Sequence, residues 1–140
     1  MKRILIDTDV ILDFFLDREP FSENAAKILS LCEKKVVSGF VTPVIIGNVY
    51  YILAQKGKQD KVMDKLKSLL LLIDILTIDK NSILIALNSD FKDFEDALQN
   101  YAAEMNGEID TIITRNTKDY KKSKLAVLKP EDYLKTLATL

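Results

Sequence analysis

Short apolar segments alternate with amphipathic segments along the whole chain, and this alternation restricts the fold more than any other feature of the sequence. The apolar segments at 3–7, 36–41, 74–78, 109–114 and 125–128 are predicted strands. The segments between them carry apolar residues at spacings of three and four, which is typical of helices. Strands that are separated by helices pair in parallel, with helices on both faces of the sheet. The sequence therefore predicts a three-layer, doubly wound α/β sandwich with a central, mostly parallel five-stranded sheet.

Local signals give the boundaries of several helices. Ser22 and Thr42 are predicted N-caps, because each hydroxyl precedes a helical apolar stripe. Pro43 then occupies the first helical turn, and Pro130 begins the last helix in the same way. Gly107 is the predicted C-cap of the helix that contains "DFEDALQN".

Length and composition favour one domain that spans residues 1–140. The chain contains no repeat and no linker rich in Pro, Gly or Ser, and 48% of its residues are hydrophobic. No apolar run approaches the roughly 20 residues that cross a bilayer. The single cysteine, Cys32, lies on a predicted helical face and has no partner for an internal disulfide. We therefore expect a cytoplasmic protein without a membrane segment.

The absence of histidine and of glycine-rich phosphate-binding loops limits the catalytic mechanisms that are possible. The chain has no histidine, which excludes Ser-His-Asp and Cys-His mechanisms and any zinc site that uses imidazole. Its four glycines are not spaced as in phosphate-binding loops. The formal net charge of −1 provides no overall attraction for nucleic acid, although local basic patches remain open. Any catalysis must use carboxylates, amides, hydroxyls and amines.

Polar residues occur where predicted strands end. Asp7 ends the first strand, Thr42 follows the second, and Thr114 ends the fourth. Ligands of doubly wound sheets bind beyond the carboxyl ends of the strands, near the point where the strand order reverses. We therefore expect these three residues to lie along one edge of the sheet and to belong to a common site.

Further acidic residues follow in the last third of the chain. Asp93 and Asp96 share one stripe of a predicted helix, and "TRNTKDY" contributes Asn116 and Asp119. Converging oxygen ligands without histidine suit Mg²⁺ or Mn²⁺. Such an ion supports hydrolysis of a phosphodiester. A D-x-x-D spacing on a helix is usually an ordinary solvated face, so the spacing alone does not establish a site.

A basic segment follows the fourth strand directly. Its positive charges can attract RNA phosphates to the proposed site, although scattered lysines on a solvated loop explain the same pattern. We expect the aromatic residues Tyr50, Tyr51 and Phe94 to pack in the core rather than to stack on bases. The basic residues in question are Arg115, Lys118, Lys121, Lys122 and Lys124.

Three motifs together resemble a known family. "LIDTDVILDFFL" near the start, "TPVIIGNVYYIL" in the middle and "DFEDALQNYAAEMNGEIDTIITRNTKDY" later are similar to PIN domains of the kind found as the toxin of VapBC-type toxin–antitoxin pairs. The similarity extends over nearly the whole chain. It implies a ribonuclease that depends on Mg²⁺ or Mn²⁺ and acts on RNA. It also implies a homodimer and a small DNA-binding antitoxin as partner.

The resemblance assigns roles to individual residues. Asp7 matches the first metal-binding aspartate of the family, Asp9 matches the acid or amide that usually follows, and Asp96 matches the aspartate of the third motif. Together with the acidic residues identified above, these matches lead us to expect Asp7, Asp96 and Asp119 as catalytic residues and Asp7, Asp96 and Asp93 as metal ligands. Supporting residues are Asp9, Thr42, Asn48, Thr114 and Asn116, and the residues assigned to RNA binding are Arg115, Lys118 and Lys121.

The sequence departs from the family pattern at two positions. Asn48 stands where many members carry a glutamate, and Asn116 stands where an acid is common, with Asp119 as its replacement. Each lost carboxylate weakens the attraction for a divalent cation. A catalytically weakened PIN-like domain that binds RNA or protein is therefore an alternative to the enzyme.

A phosphoacceptor signalling domain is a further alternative. That fold is also a five-stranded doubly wound sheet, and Lys129-Pro130 is similar to its lysine–proline turn. However, its mechanism needs a nucleophilic aspartate at the end of a central strand. The corresponding segment here, "GFVTPV", has Thr42 and no acid.

Overall fold

The computed structural model describes residues 1–138. Seven helices and one short 3-10 helix, Thr117–Tyr120, surround the sheet. The strands are β1 (Lys2–Ile6), β2 (Val37–Val41), β3 (Asp74–Ile75), β4 (Thr111–Ile113) and β5 (Ala126–Leu128). The helices are α1 (Thr8–Phe15), α2 (Ser22–Glu33), α3 (Pro43–Ala54), α4 (Gln59–Leu72), α5 (Lys80–Leu87), α6 (Phe94–Asn106) and α7 (Pro130–Ala138).

The five strands form one sheet in the order β3-β2-β1-β4-β5, and every pairing is parallel. This confirms the predicted doubly wound α/β fold. The order reverses between β1 and β4, where Leu5 lies opposite Ile112 and Ile6 opposite Ile113. Asp7 and Thr114 directly follow these two strands, so both lie at the position where sheets of this type bind ligands.

The central strand β1 is buried on both faces. Ile4, Leu5 and Ile6 have no exposed surface, as expected for a strand that is covered by helices on either side. Cys32 of α2 packs in the same core, as the sequence predicts. Its Sγ lies 2.5 Å from the point where a Cβ on Gly39 of β2 would stand, so a side chain at position 39 has no room.

Helix caps place several polar residues at the carboxyl edge of the sheet. Asp7 caps α1 by accepting a hydrogen bond from Thr8 N at 2.8 Å. Thr42 caps α3 and Asp93 caps α6 in the same manner, with the backbone N–H groups of Ile45 and Asp96 as donors. These helices therefore begin at the residues from which the site is built.

Some boundaries differ from the prediction. Ser22 is the first residue of α2 rather than its N-cap, and its hydroxyl donates to Glu19 Oε1 at 3.0 Å. The edge strand β3 is limited to two residues, and the 3-10 helix after β4 has no counterpart in the prediction. Gly107 does cap α6, with a left-handed φ of 80° that glycine adopts without strain. Across residues 1–138, no helix combines the length and hydropathy that a membrane span requires.

Candidate active site

Most of the predicted site residues line one open cavity of about 540 Å³ at the carboxyl edge of the sheet. The walls come from the starts of α1 and α6, the middle of α3 and the segment that follows β4. The topology thus brings residues from opposite ends of the chain into one place. The predicted residues that line this cavity are Asp7, Asp9, Asn48, Asp93, Asp96, Asn116 and Asp119.

Asp7 is surrounded by hydrogen-bond donors that carry no positive charge. Its Oδ2 accepts from Thr114 Oγ1 at 2.9 Å and from the Tyr120 hydroxyl at 3.3 Å. Burial, followed by repulsion from Asp9, raises the pKa of Asp7 to about 6, although these hydrogen bonds and the Thr8 N–H act in the opposite direction. The donors therefore hold the carboxylate in place without neutralising it.

Asp96 meets Asp7 across a single hydroxyl group. The Tyr120 hydroxyl lies 3.4 Å from Asp96 Oδ1 and 3.3 Å from Asp7 Oδ2, so these two carboxylate oxygens are less than about 7 Å apart. Burial, followed by repulsion from Asp7, Asp93 and Asp119, raises the pKa of Asp96 to about 7. The two carboxylates are thus close enough to share one hydrated cation.

Asp9 is held by the segment that follows β4. Its Oδ2 accepts from the Arg115 backbone N–H at 3.0 Å and from Asn116 Nδ2 at 3.3 Å. Burial also raises the pKa of Asp9. Its second oxygen, Oδ1, is buried and has no hydrogen-bond partner among residues 1–138. A buried carboxylate oxygen without a donor is costly, and a cation or an ordered water at this position removes the cost.

The two predicted threonines lie beneath the cavity. Thr114 is fully buried, donates to Asp7 and accepts from the Asn116 N–H at 3.1 Å. Thr42 is also buried; its hydroxyl donates to Gln99 Oε1 while it caps α3. Thr114 therefore touches the acids, whereas Thr42 shapes the wall from below.

Two residues that the sequence analysis did not select take part in the site. Tyr120 lies at the end of the 3-10 helix, where its ring packs edge-on against Phe91. Glu95 lines the cavity beside Asp96, and its Oε2 accepts from Asn48 Nδ2 at 3.0 Å. Glu95 does not share the helical stripe of Asp93 and Asp96, so the spacing does not identify it. Only its position inside the acidic run "DFED" marked it in the sequence.

The basic residues have different surroundings from those expected. The Arg115 guanidinium donates twice to Asp13, at 2.6 and 3.0 Å, and lies 3.9 Å from the centre of the Phe21 ring. Its charge is therefore used within the fold, and of the three residues assigned to RNA binding only Lys118 and Lys121 are exposed. Neither lysine lines the cavity.

The expectation that the three aromatic residues pack in the core is wrong for two of them. Tyr51 is 68% exposed and lines the cavity, and Phe94 is 46% exposed at the start of α6. Tyr50 does pack against the core. Helical spacing alone therefore did not distinguish the buried ring from the exposed ones.

The charge balance of the cavity fits a divalent cation. Six carboxylates line it, whereas Arg18 is the one basic residue that does so within residues 1–138. In the same range, no three His, Cys, Asp or Glu side chains form a ready cage for a metal ion. The arrangement therefore fits an ion that keeps several of its waters, as Mg²⁺ does, better than an ion with a complete set of protein ligands.

Comparison with known proteins agrees with this geometry. A family model described as a PIN domain matches residues 3–118. No curated protein sequence matches the chain.

Several solved structures share the fold at low sequence identity. VapBC2 from Rickettsia felis, solved bound to a DNA fragment from its promoter, is 14% identical with a TM-score of 0.67, and the match covers 91% of this chain and 97% of that one. A toxin–antitoxin complex from Klebsiella pneumoniae is 23% identical with a TM-score of 0.66 and the same coverage. VapC20 from Mycobacterium tuberculosis, a toxin that cleaves the sarcin–ricin loop, is 14% identical with a TM-score of 0.62; the match covers 78% of this chain and 86% of that one.

Proposed function

The chain belongs to the PIN domain family, and we propose that it is a ribonuclease that hydrolyses RNA phosphodiester bonds with the help of Mg²⁺ or Mn²⁺. The observation that carries the proposal is the meeting of Asp7 and Asp96 at the Tyr120 hydroxyl, in an open cavity. Asp7 at the start of α1 and Asp96 in α6 lie 89 residues apart in the chain. Acidic residues that are gathered in a cleft without counter-charge are typical of functional sites.

In this proposal Asp7, Asp96 and Asp93 would hold the cation. A bound Mg²⁺ or Mn²⁺ would supply positive charge next to the phosphate oxygens, on which negative charge develops. Thr114 and Tyr120 fix the orientation of the Asp7 carboxylate by donating hydrogen bonds to it. Asp9 adds negative charge to the same wall through the buried oxygen that lacks a donor.

Asp119 is the proposed general base. It is exposed in the 3-10 helix and lines the cavity beside the ligand carboxylates. In the reaction, a water oxygen forms a bond to phosphorus while its proton passes to Asp119, and the bond from phosphorus to the leaving oxygen breaks. Solvent returns a proton to the leaving oxygen, since the cavity is open to water.

The proposed biological role is that of the toxin in a toxin–antitoxin pair. VapBC2 and the Klebsiella pneumoniae complex, which share the fold, are toxin–antitoxin assemblies. On this basis we propose a small DNA-binding antitoxin as partner, a homodimer as the assembly and the cytoplasm as the location. Lys118 and Lys121 are the proposed contacts to RNA phosphates.

The experiment is cleavage of single-stranded RNA by the purified chain with Mg²⁺, with Mn²⁺ and with EDTA. We expect cleavage with either metal, no cleavage with EDTA, and a large loss in the Asp7→Asn and Asp96→Asn variants. Asp64→Asn is the matched control, because Asp64 is exposed on α4 and does not line the cavity. If wild type and both site variants degrade RNA at the same residual rate, the activity belongs to a contaminant and the proposal fails.

A catalytically weakened RNA- or protein-binding domain is the second candidate. It is favoured by Asn48 and Asn116, which place amides where carboxylates attract a cation more strongly. Under this alternative RNA binds to wild type without cleavage under every metal condition, and substitution of Asp7 leaves binding unchanged.

A further inference from the structure

We propose that Glu95 is an additional carboxylate of the active site that helps to bind the cation, and that the side-chain amide of Asn48 positions it. The inference rests on the proposed metal-dependent function and adds to it. No motif position assigns this role to Glu95. It lies between Asp93 and Asp96, and only those two acids have the spacing of a common helical stripe.

Helix geometry explains why Glu95 needs a partner to reach the cavity. Consecutive residues of an α-helix point about 100° apart, so Asp96 and Glu95 cannot both point directly toward Asp7. Asp96 takes the direct orientation, since its Oδ1 contacts the same Tyr120 hydroxyl as Asp7 does. Glu95 is exposed at the side of α6, yet its longer side chain lines the cavity by extending toward α3.

Asn48 is the contact that holds Glu95 there. Its Nδ2 donates to Glu95 Oε2 at 3.0 Å, which joins the middle of α3 to the first turn of α6. Asn48 is only half-buried and also lines the cavity. Within residues 1–138, this is the one side-chain hydrogen bond of either residue. Glu95 Oε1 therefore has no protein donor, and it is available to a water or a cation.

The chemistry of the pair explains why position 48 carries an amide. Two carboxylates at 3.0 Å repel each other, and one of them must take up a proton to remain there. An amide donor removes this repulsion and leaves the full negative charge on Glu95. The contact between α3 and α6 thus keeps the Glu95 carboxylate ionised, and the amide from α3 fixes its place.

The test is Mn²⁺ binding to the full-length chain, measured by the loss of the free-ion electron paramagnetic resonance signal. We expect Glu95→Gln to weaken Mn²⁺ binding about tenfold and Asn48→Ala about threefold. Glu33→Gln is the matched control, because Glu33 is exposed at the end of α2, outside this cavity, and we expect it to bind Mn²⁺ like wild type. RNA cleavage at subsaturating Mn²⁺ should decrease in the same order.

A double-variant cycle separates positioning from a general structural effect. If Asn48 acts through Glu95, Asn48→Ala has no further effect on Mn²⁺ affinity once Glu95→Gln is present. Losses that multiply in the double variant, or wild-type affinity in Glu95→Gln, overturn the inference. Wild-type Mn²⁺ binding that is abolished by Asp7→Asn but unaffected by Glu95→Gln leaves the proposed function intact. Absence of Mn²⁺ binding and of cleavage in wild type overturns both.

Discussion

Two aspartates at opposite ends of α1 show how differently one fold treats the same side chain. Asp13 is 1% exposed and receives two hydrogen bonds from the Arg115 guanidinium. Arg18 forms a second ion pair with it, in which Nη1 lies 3.7 Å from Asp13 Oδ1. Asp7 lies about two helical turns earlier and receives hydrogen bonds from hydroxyls and one backbone N–H. Asp13 therefore has counter-charge within the fold, whereas Asp7 has none.

This contrast separates structural acids from acids kept for a ligand. A buried carboxylate that is paired with a cation holds the structure together, because removing either partner leaves an uncompensated charge. A carboxylate among neutral donors keeps its position but raises the free energy of the folded state whenever it is ionised. That energy is recovered when a cation from solution binds. We call Asp13 with Arg115 and Arg18 the Asp13 cluster, and Asp7 with Thr114 and Tyr120 the Asp7 cluster. An Asp→Asn substitution should therefore lower the free energy of unfolding in the first cluster and raise it in the second.

The largest expected change in the free energy of unfolding is that caused by substitution of Asp13. Asp13→Asn removes the charge that neutralises Arg115, and we expect it to lower the free energy of unfolding by about 3 kcal/mol or more. Arg115 is partly exposed, which places the value near the lower end of the range for broken buried pairs. Urea denaturation monitored by circular dichroism gives the value.

Arg18→Ala is the control for the Asp13 cluster. Arg18 is 3.7 Å from Asp13 and more exposed than Arg115, so its loss should cost less than about 1 kcal/mol. Equal effects of Asp13→Asn and Arg18→Ala would show that the Arg115 pair does not dominate this region.

The second largest effect is a gain in stability when Asp7 is substituted, opposite to the loss expected for Asp13. Asp7→Asn removes a carboxylate whose pKa is raised to about 6, so the metal-free protein should become about 1 to 3 kcal/mol more stable at pH 8. RNA cleavage should fall at least about 100-fold, because the ion loses a ligand. Denaturation in EDTA and cleavage in Mg²⁺ measure the two changes separately.

A gain in stability together with a loss of activity is the pattern to be found. If Asp7→Asn destabilises the metal-free chain as Asp13→Asn does, Asp7 is a structural acid and the contrast between the two clusters is wrong. Asp64→Asn on the exposed face of α4 should change neither quantity.

The comparison also shows what the sequence could and could not predict. The sheet, the Thr42 and Gly107 caps and the placement of Asp7 and Thr114 at one edge follow from local patterns and from the rule for strand ends. The pairing of Asp13 with Arg115 does not, because it joins residues 102 positions apart and requires the register of β1 with β4. The sequence alone shows Asp13 as an acidic residue next to the apolar stripe of a helix and does not indicate that it has a partner.

The same reason applies to Tyr120 and Glu95. Each reaches the cavity through a contact from another element, with Asp7 in one case and Asn48 in the other. Spacing along one helix contains no information about such contacts. The position of Arg115 directly after the fourth strand likewise does not reveal that its guanidinium binds Asp13.

The third effect is the pH dependence that the Asp7 cluster gives to the metal-free protein. The folded-state pKa of Asp7 is about 6, above the ordinary value of 3.8, so the folded state binds the proton more tightly than the unfolded chain does. Stability must therefore decrease as pH rises through this interval. Between pH 5 and pH 8 the contribution of Asp7 is a loss of about 1.4 kcal/mol. Asp96 acts in the same direction.

The measurement is the difference between wild type and Asp7→Asn in urea denaturation at pH 5 and pH 8, in EDTA. Taking the difference cancels the titration of carboxylates elsewhere in the chain. Addition of 10 mM Mg²⁺ at pH 8 should stabilise wild type more than the variant, because ligands bind a cation in their ionised form. A stability difference that is independent of pH would show that Asp7 titrates normally.

The smallest effect tests whether the neutral donors only orient the carboxylates. Tyr120→Phe removes the hydroxyl that contacts Asp7 and Asp96 and keeps the ring that packs against Phe91. Hydrogen bonds of 3.3 and 3.4 Å are long, and water from the open cavity can replace them, so we expect the free energy of unfolding to change by less than about 1 kcal/mol. Mn²⁺ affinity should fall only a few fold, since no charge is removed. A loss in Tyr120→Phe as large as that in Asp13→Asn would mean that the hydroxyl stabilises the fold as a charged partner does, and the distinction between neutralised and unneutralised acids would then no longer hold.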